Sequence, residues 1–117
     1  MPKYLSVKRA KLLSQHRYIL KKLATISGPE RKKVLKSAPQ ELFKVLNIIF
    51  EMLAKDQIPL TKKREQTIKK HKRLIRSTSD LKSSAIKRKL QSQSGGALPA
   101  ILSAVLPILS GLIGKLL

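Results

Sequence analysis

Apolar residues recur every three or four positions along most of the chain, and polar gaps cut that rhythm into separate helical stretches. From Ser6 to about Ile26, Leu12, Leu13, Ile19, Leu20 and Leu23 keep helical spacing while Lys8, Arg9, Lys11, Arg17, Lys21 and Lys22 fill the opposite side, which predicts one basic amphipathic helix. Ser27-Gly28-Pro29-Glu30 stops it and starts a short second helix to about Lys36: Ser suits the cap, Pro the first turn and Glu the positive helix end. Ser37 and Gln40 have the spacing of a capping box. Behind them Leu42, Phe43, Val45, Leu46, Ile48, Ile49, Phe50, Met52 and Leu53 surround most of a third helix, the predicted centre of the core. Pro59 ends it by disfavouring helix at Ile58. Thr61 is placed to cap a fourth helix to about Arg76, apolar only at Ile68, Leu74 and Ile75. After the turn Ser77-Thr78-Ser79-Asp80, the spacing of Leu81, Ala85, Ile86 and Leu90 predicts a weak fifth helix. No strand-like alternation and no repeat is found. The expected class is all-α, a small bundle of four or five short basic amphipathic helices plus a separate hydrophobic C-terminal helix.

The C-terminal stretch ALPAILSAVLPILSGLIGKLL carries no charge from Ala97 to Gly114. As a full helix it would reach roughly 30 Å, about a bilayer core. Its apolar residues are Leu98, Ile101, Leu102, Val105, Leu106, Ile108, Leu109, Leu112, Ile113, Leu116 and Leu117. Ala100, Ser103, Ala104, Pro107, Ser110, Gly111 and Gly114 form a narrow weak side at steps of three and four, and Pro107 predicts a hinge. This reads as a membrane-seeking helix; a core helix of the same domain and a stable membrane span are the other readings of the same residues. Three regions follow: a basic helical body over 1–90, a polar, glycine-ended linker over 91–96 expected to be flexible, and the apolar tail over 97–117.

Charge sharpens this division. The chain holds 26 Lys and Arg against six acids in 117 residues; 25 of those cations and all six acids precede the tail, so the body carries +19. Such a charge repels itself unless a polyanion offsets it, which points to nucleic acid or an anionic membrane. From Lys62 to Arg76, eight cations (Lys62, Lys63, Arg64, Lys69, Lys70, Lys72, Arg73 and Arg76) stand with one acid, and Lys87, Arg88 and Lys89 extend the set. Duplex phosphates, spaced about 1.7 Å along the axis counting both strands, suit such a run. With only Tyr4, Tyr18, Phe43 and Phe50 as aromatics, there is little to stack on unpaired bases, so contact with the backbone of double-stranded DNA is expected without sequence preference. The same run has the composition of a nuclear import signal.

Little else carries chemistry. The chain has no Cys, and its two histidines, His16 and His71, stand among Lys and Arg without carboxylates in sequence to complete a metal set. No phosphate-cradling glycine loop and no Ser with a base and orienting acid is recognisable. No enzymatic activity, metal or cofactor is expected. The start, MPKYLSVKRAKLL, lacks the apolar run of a secretory signal, so synthesis in the cytosol is expected.

Three motifs carry resemblances. Leu98-Pro99-Ala100-Ile101-Leu102-Ser103 is similar to the hinge of melittin, and the tail resembles short membrane-lytic peptides. Gln93-Ser94-Gly95-Gly96 before Ala97 is similar to the cleavage motif of adenovirus-type cysteine proteases. Over nearly the whole chain, the order RAKLLSQHR, a Leu-rich helix, IPLTKK, KKHKR, IKRKL and QSGGALPA resembles small basic virion proteins of adintoviruses and Polinton/Maverick elements, akin to the adenovirus mu peptide and protein VI. That resemblance implies a capsid-interior protein, present in virion and host nucleus, that touches the genome and capsid proteins and releases a membrane-active peptide on maturation. Two rivals stand beside it. One is a cellular tail-anchored adaptor whose body binds anionic headgroups at a membrane surface; the other is a plain nucleic-acid-binding domain, nuclear in location, whose tail completes its core.

The motif makes a direct prediction. An adenovirus-type protease should cut the intact chain between Gly96 and Ala97, and Gly95→Val should block the cut by pushing a branched side chain into a groove shaped for glycine. Mass spectrometry of the products checks both; an intact chain beside a cleaved control substrate refutes the motif.

Overall fold

The computed structural model describes residues 6–82, 85, 86, 88, 89 and 97–116, with the backbone alone at 116. Helices α1 (Val7–Gln15), α2 (Arg17–Thr25), α3 (Gly28–Ser37), α4 (Gln40–Ala54), α5 (Lys62–Lys70), α6 (Lys72–Ser79) and α7 (Ala97–Leu116) follow one another, and Ala85, Ile86, Arg88 and Lys89 are helical between the last two. No strand occurs among the described residues. The protein is all-α, and its apolar C-terminal helix follows the basic ones as an element of its own.

The centre is α4, as its sequence predicts. Leu42, Phe43, Val45, Leu46, Ile49, Phe50 and Met52 are fully buried, on more of its circumference than one apolar stripe would cover, because α6 and α1 pack on different sides of it. Its end is set by backbone geometry: Asp56 adopts a left-handed φ of 54°, its N–H donates to the Leu53 carbonyl at 3.2 Å, and the Gln57 N–H reaches back to Met52 at 2.9 Å. This is a Schellman closure with Asp where Gly is usual. The next residues are buried Ile58 and Pro59, which prevents resumption of the helix.

At α4's other end the predicted capping box does not form. Ser37 is the last residue of α3 and donates its hydroxyl to the Lys33 carbonyl at 3.1 Å, while Pro39 occupies the cap position of α4. The cause is Pro39: it forces Ala38 to extended backbone, ψ 146°, so no helix can start as early as a Ser37 cap requires. Ser27 stands at the cap of α3 but accepts no hydrogen bond there, whereas Thr61 caps α5 by accepting from the Arg64 N–H at 3.4 Å.

The two long basic helices predicted by spacing are each broken, and each at a histidine. His16 has φ −104° and ψ 9°, and its N–H donates to Leu13, three residues back, rather than four. The side chain supplies the reason: its Nδ1 lies 2.9 Å from the Leu12 carbonyl, the acceptor that an unbroken helix would give to the His16 N–H. His71 repeats the backbone geometry with φ −111°, ψ 16° and an N–H donated to Ile68. The bend at His71 lets α6 lie along α4 while α5 leans on α7.

The tail is part of the same core. One face of α7, with Leu98, Ile101, Leu102, Ala104, Val105 and Leu109, is buried against α2, α1 and α5, while Ser103, Pro107, Ser110, Gly111 and Gly114 face solvent. The weak side therefore lies where the spacing predicts, except that Ala104 turns inward and Ala100 is half-buried. Where a hinge is predicted, α7 runs unbroken through Pro107. The proline is on the solvent side, so water can satisfy the Ser103 carbonyl that loses its intrahelical donor.

Two polar ties fasten this arrangement. From the middle of α4, the Asn47 Nδ2 donates to the carbonyls of Ser79 at 3.2 Å and Leu81 at 3.1 Å, closing the end of α6. Asn47→Ala should leave both carbonyls unmet and cost about 1 to 2 kcal/mol, read as a lower urea midpoint at unchanged slope. Glu51 ties α1 to α4, accepting from Lys55 at 2.9 Å with Arg9 at 3.8 Å. The Lys55 hydrogen bond, against an opposing effect of burial and with help from the charges of Lys55 and Arg9, holds its carboxyl below the ordinary range. A carboxyl lowered in the folded state stabilises above its unfolded value, about pH 4.3, and loses that contribution as pH falls through the folded one. Glu51→Gln should cost at most about 1 kcal/mol at neutral pH, and denaturation midpoints of the two proteins should converge on acidification.

Candidate nucleic-acid and membrane surfaces

The cations predicted to meet phosphate stand on the outer face of the α5–α6 pair. Lys62, Lys69, Arg73 and Arg76 follow one another at steps of seven, four and three, with Lys63 and Lys70 alongside, and all six are exposed together with Lys72. Arg64 and Lys89 are half-buried, and the Lys89 Nζ donates to the Ser77 hydroxyl; Arg88 is exposed. Lys87, like Gln93, Ser94, Gly95 and Gly96 of the protease motif, lies outside the described residues; Ala97 is the first residue of α7. The pair spans 62–79, roughly 27 Å of helix if straight, and its bend at His71 curves the stripe.

Acids do little to neutralise this stripe. Among the described residues the ion pairs are Arg9 with Glu51, Lys55 with Glu51, and His16 with Glu41 at 3.8 Å, all on α1, the His16 joint and α4 or its end. Glu65 and Asp80, the acids nearest the stripe, are exposed and pair with none of its cations. A row of solvated cations without acid partners has the long-range field that draws a polyanion, and phosphate contact then releases counterions. Phe43 and Phe50 are fully buried, leaving Tyr18, on a different helix from the stripe, as the exposed aromatic among the described residues. The arrangement suits backbone contact and lacks a stacking platform.

The membrane-seeking residues divide into two groups. Leu98, Ile101, Leu102, Val105 and Leu109 are buried, whereas Leu106, Ile108, Leu112 and Ile113 are half-buried; the side chains of Leu116 and Leu117 lie outside the described set. By length and composition α7 could cross a bilayer, with 33% of that span buried in the protein. Its small solvent side leaves a groove of about 690 Å³ against α2, lined on one wall by Arg17, Tyr18 and Lys21 and on the other by Leu106, Pro107 and Ser110. Helical spacing puts Arg17 and Lys21 on a polar helix face and does not connect them with the tail. No local signal joins two segments some 80 positions apart.

The two histidines lie at helix joints, and among the described residues no group of three His, Asp or Glu gathers to hold a metal. Comparison with protein-family models, curated proteins and solved structures finds no match to this chain.

If the stripe is the phosphate contact, replacing Lys69, Lys70, Lys72 and Arg73 by Gln should reduce the slope of log affinity for duplex DNA against log salt by as much as about 3.6. Binding of a labelled duplex across a salt series checks this; an unchanged slope places the contact elsewhere.

Proposed function

We propose that this chain is a structural protein of a virus or virus-like element, which binds double-stranded DNA through its basic body without sequence preference and carries a membrane-active C-terminal helix in a stored form. The observation that supports this most is the pairing of two surfaces on one small protein: an unneutralised cation stripe on α5–α6 and a bilayer-length apolar helix whose greasiest face is packed against α1, α2 and α5. Its place of action would be the virion interior and the host nucleus, with DNA, capsid proteins, a processing protease and finally a lipid membrane as partners.

Storage and release follow from the same packing. Burying Leu98, Ile101, Leu102, Val105 and Leu109 is worth roughly 1.5 to 3 kcal/mol each whether the surroundings are protein or hydrocarbon. Core and lipid are therefore near-equal hosts for this face, and connection to the body decides between them. While the chain is whole, the tail meets its own core at an effective concentration on the order of millimolar; a cut before Ala97 removes that advantage. The cut also leaves a positive amino group at the first residue of α7, against the positive end of the helix dipole, while making the peptide cationic at both ends for an anionic surface.

A second reading is favoured by the same burial: the tail completes the core of a nucleic-acid-binding domain and never leaves it. Dye leakage from anionic liposomes separates the two. The free peptide from Ala97 to Leu117 should act at lower concentration than the whole chain; a silent free peptide selects the core-helix reading, and equal potency refutes storage.

A further inference from the structure

The groove between α2 and α7 has a chemistry of its own. Its charged lining is cationic, Arg17 and Lys21, both exposed and both outside the ion pairs of the described residues. Between them in sequence stands Tyr18, 81% exposed, and across the groove are half-buried Leu106 and exposed Pro107 and Ser110. Lys22 on α2 and Lys11 on the neighbouring α1 are also exposed and cationic.

We propose that this groove is where the folded, uncut protein docks on a bilayer containing anionic lipid. Three features argue for that occupant over nucleic acid. Cations at the rim suit headgroup phosphates; an exposed tyrosine combines an apolar ring with a polar tip, the combination enriched at membrane interfaces. The third is the apolar wall of Leu106 and Pro107, which gains nothing from a phosphate backbone but gains burial against the first carbons of the acyl chains. Long Arg and Lys side chains can hold their charge at headgroup level while their stems lie over that wall. The inference rests on the reading of the protein as one that meets membranes, but it needs no cut and no departure of α7. Docking through this face sets the protein down with the outer side of the tail already against lipid.

The sequence contains no Trp, so a single introduced indole reports its own position. In the full chain, Tyr18→Trp places it in the groove and Gln66→Trp on the exposed face of α5. With vesicles of equal phosphatidylcholine and phosphatidylglycerol, the indole at position 18 should shift to the blue and be quenched by brominated acyl chains, and that at 66 should not. Phosphatidylcholine alone should give neither effect. Arg17→Gln with Lys21→Gln should weaken vesicle binding about twenty-five-fold, since each cation near an anionic surface contributes roughly a factor of five. Lys69→Gln with Lys70→Gln should change it less than about two-fold, because neither residue lines the groove and charge attraction to headgroups falls off steeply with distance from the surface. Equal lipid quenching at both positions, or an indole at 18 that lipid never reaches but duplex DNA shields, overturns the proposal. This outcome is independent of whether the free tail peptide leaks vesicles, so each reading can fail without the other.

Discussion

A chain of 117 residues with a net charge of +20 has to stay compact against its own repulsion. That constraint explains the division of labour in the fold. The cations cannot be paired away, with so few acids available, so they are placed outside, and cohesion falls to a small number of apolar residues concentrated in α4 and α7. The short helices α1, α2, α5 and α6 contribute little apolar surface each; α5 and α6 together fully bury only Ile75 and Thr78. They are held because α4 and α7 offer them apolar surface: α2 and α5 lie against α7, α6 against α4, and α1 against both.

The histidine joints make that possible. A straight basic helix through residue 71 could line one apolar partner, but the bend gives its two halves different ones: α6 goes to α4 and α5 to α7. At His16 the side chain takes the Leu12 carbonyl and the ring's other nitrogen faces Glu41 at the start of α4, so one residue both makes the bend and ties it to the centre. The histidines therefore have a structural use. It is one that residue spacing alone does not reveal.

What was legible in the sequence was whatever local chemistry decides. The run from Leu42 to Leu53 is too apolar to be anything but central, Pro59 bars the helix from resuming although the closure at Asp56 is what ends it, Thr61 caps, and the exposed side of α7 follows from the steps between its small residues. What was not legible depends on competition or distance. The capping box at Ser37 failed because Pro39, two residues on, overrode it; the helix breaks arise where a histidine or a tertiary partner outcompetes helical propensity. The cation stripe could be read because charge pattern is local. The groove of Arg17, Tyr18 and Lys21 could not, since it exists only once α2 meets α7.

The position of α5 carries one more consequence. It is a nine-residue helix with no fully buried side chain, and it is one of three helices covering α7. Amide protons exchange through the cheapest available opening, and a helix held by so little apolar contact opens far more often than the whole molecule unfolds. Its flank of α7 is therefore uncovered at a frequency set by α5 alone. Anything that holds the α5 cations in place slows this local breathing, and adds to the stability of the whole fold by mass action, so the rate at which the apolar helix is glimpsed by its surroundings is a property of the most polar of the described helices.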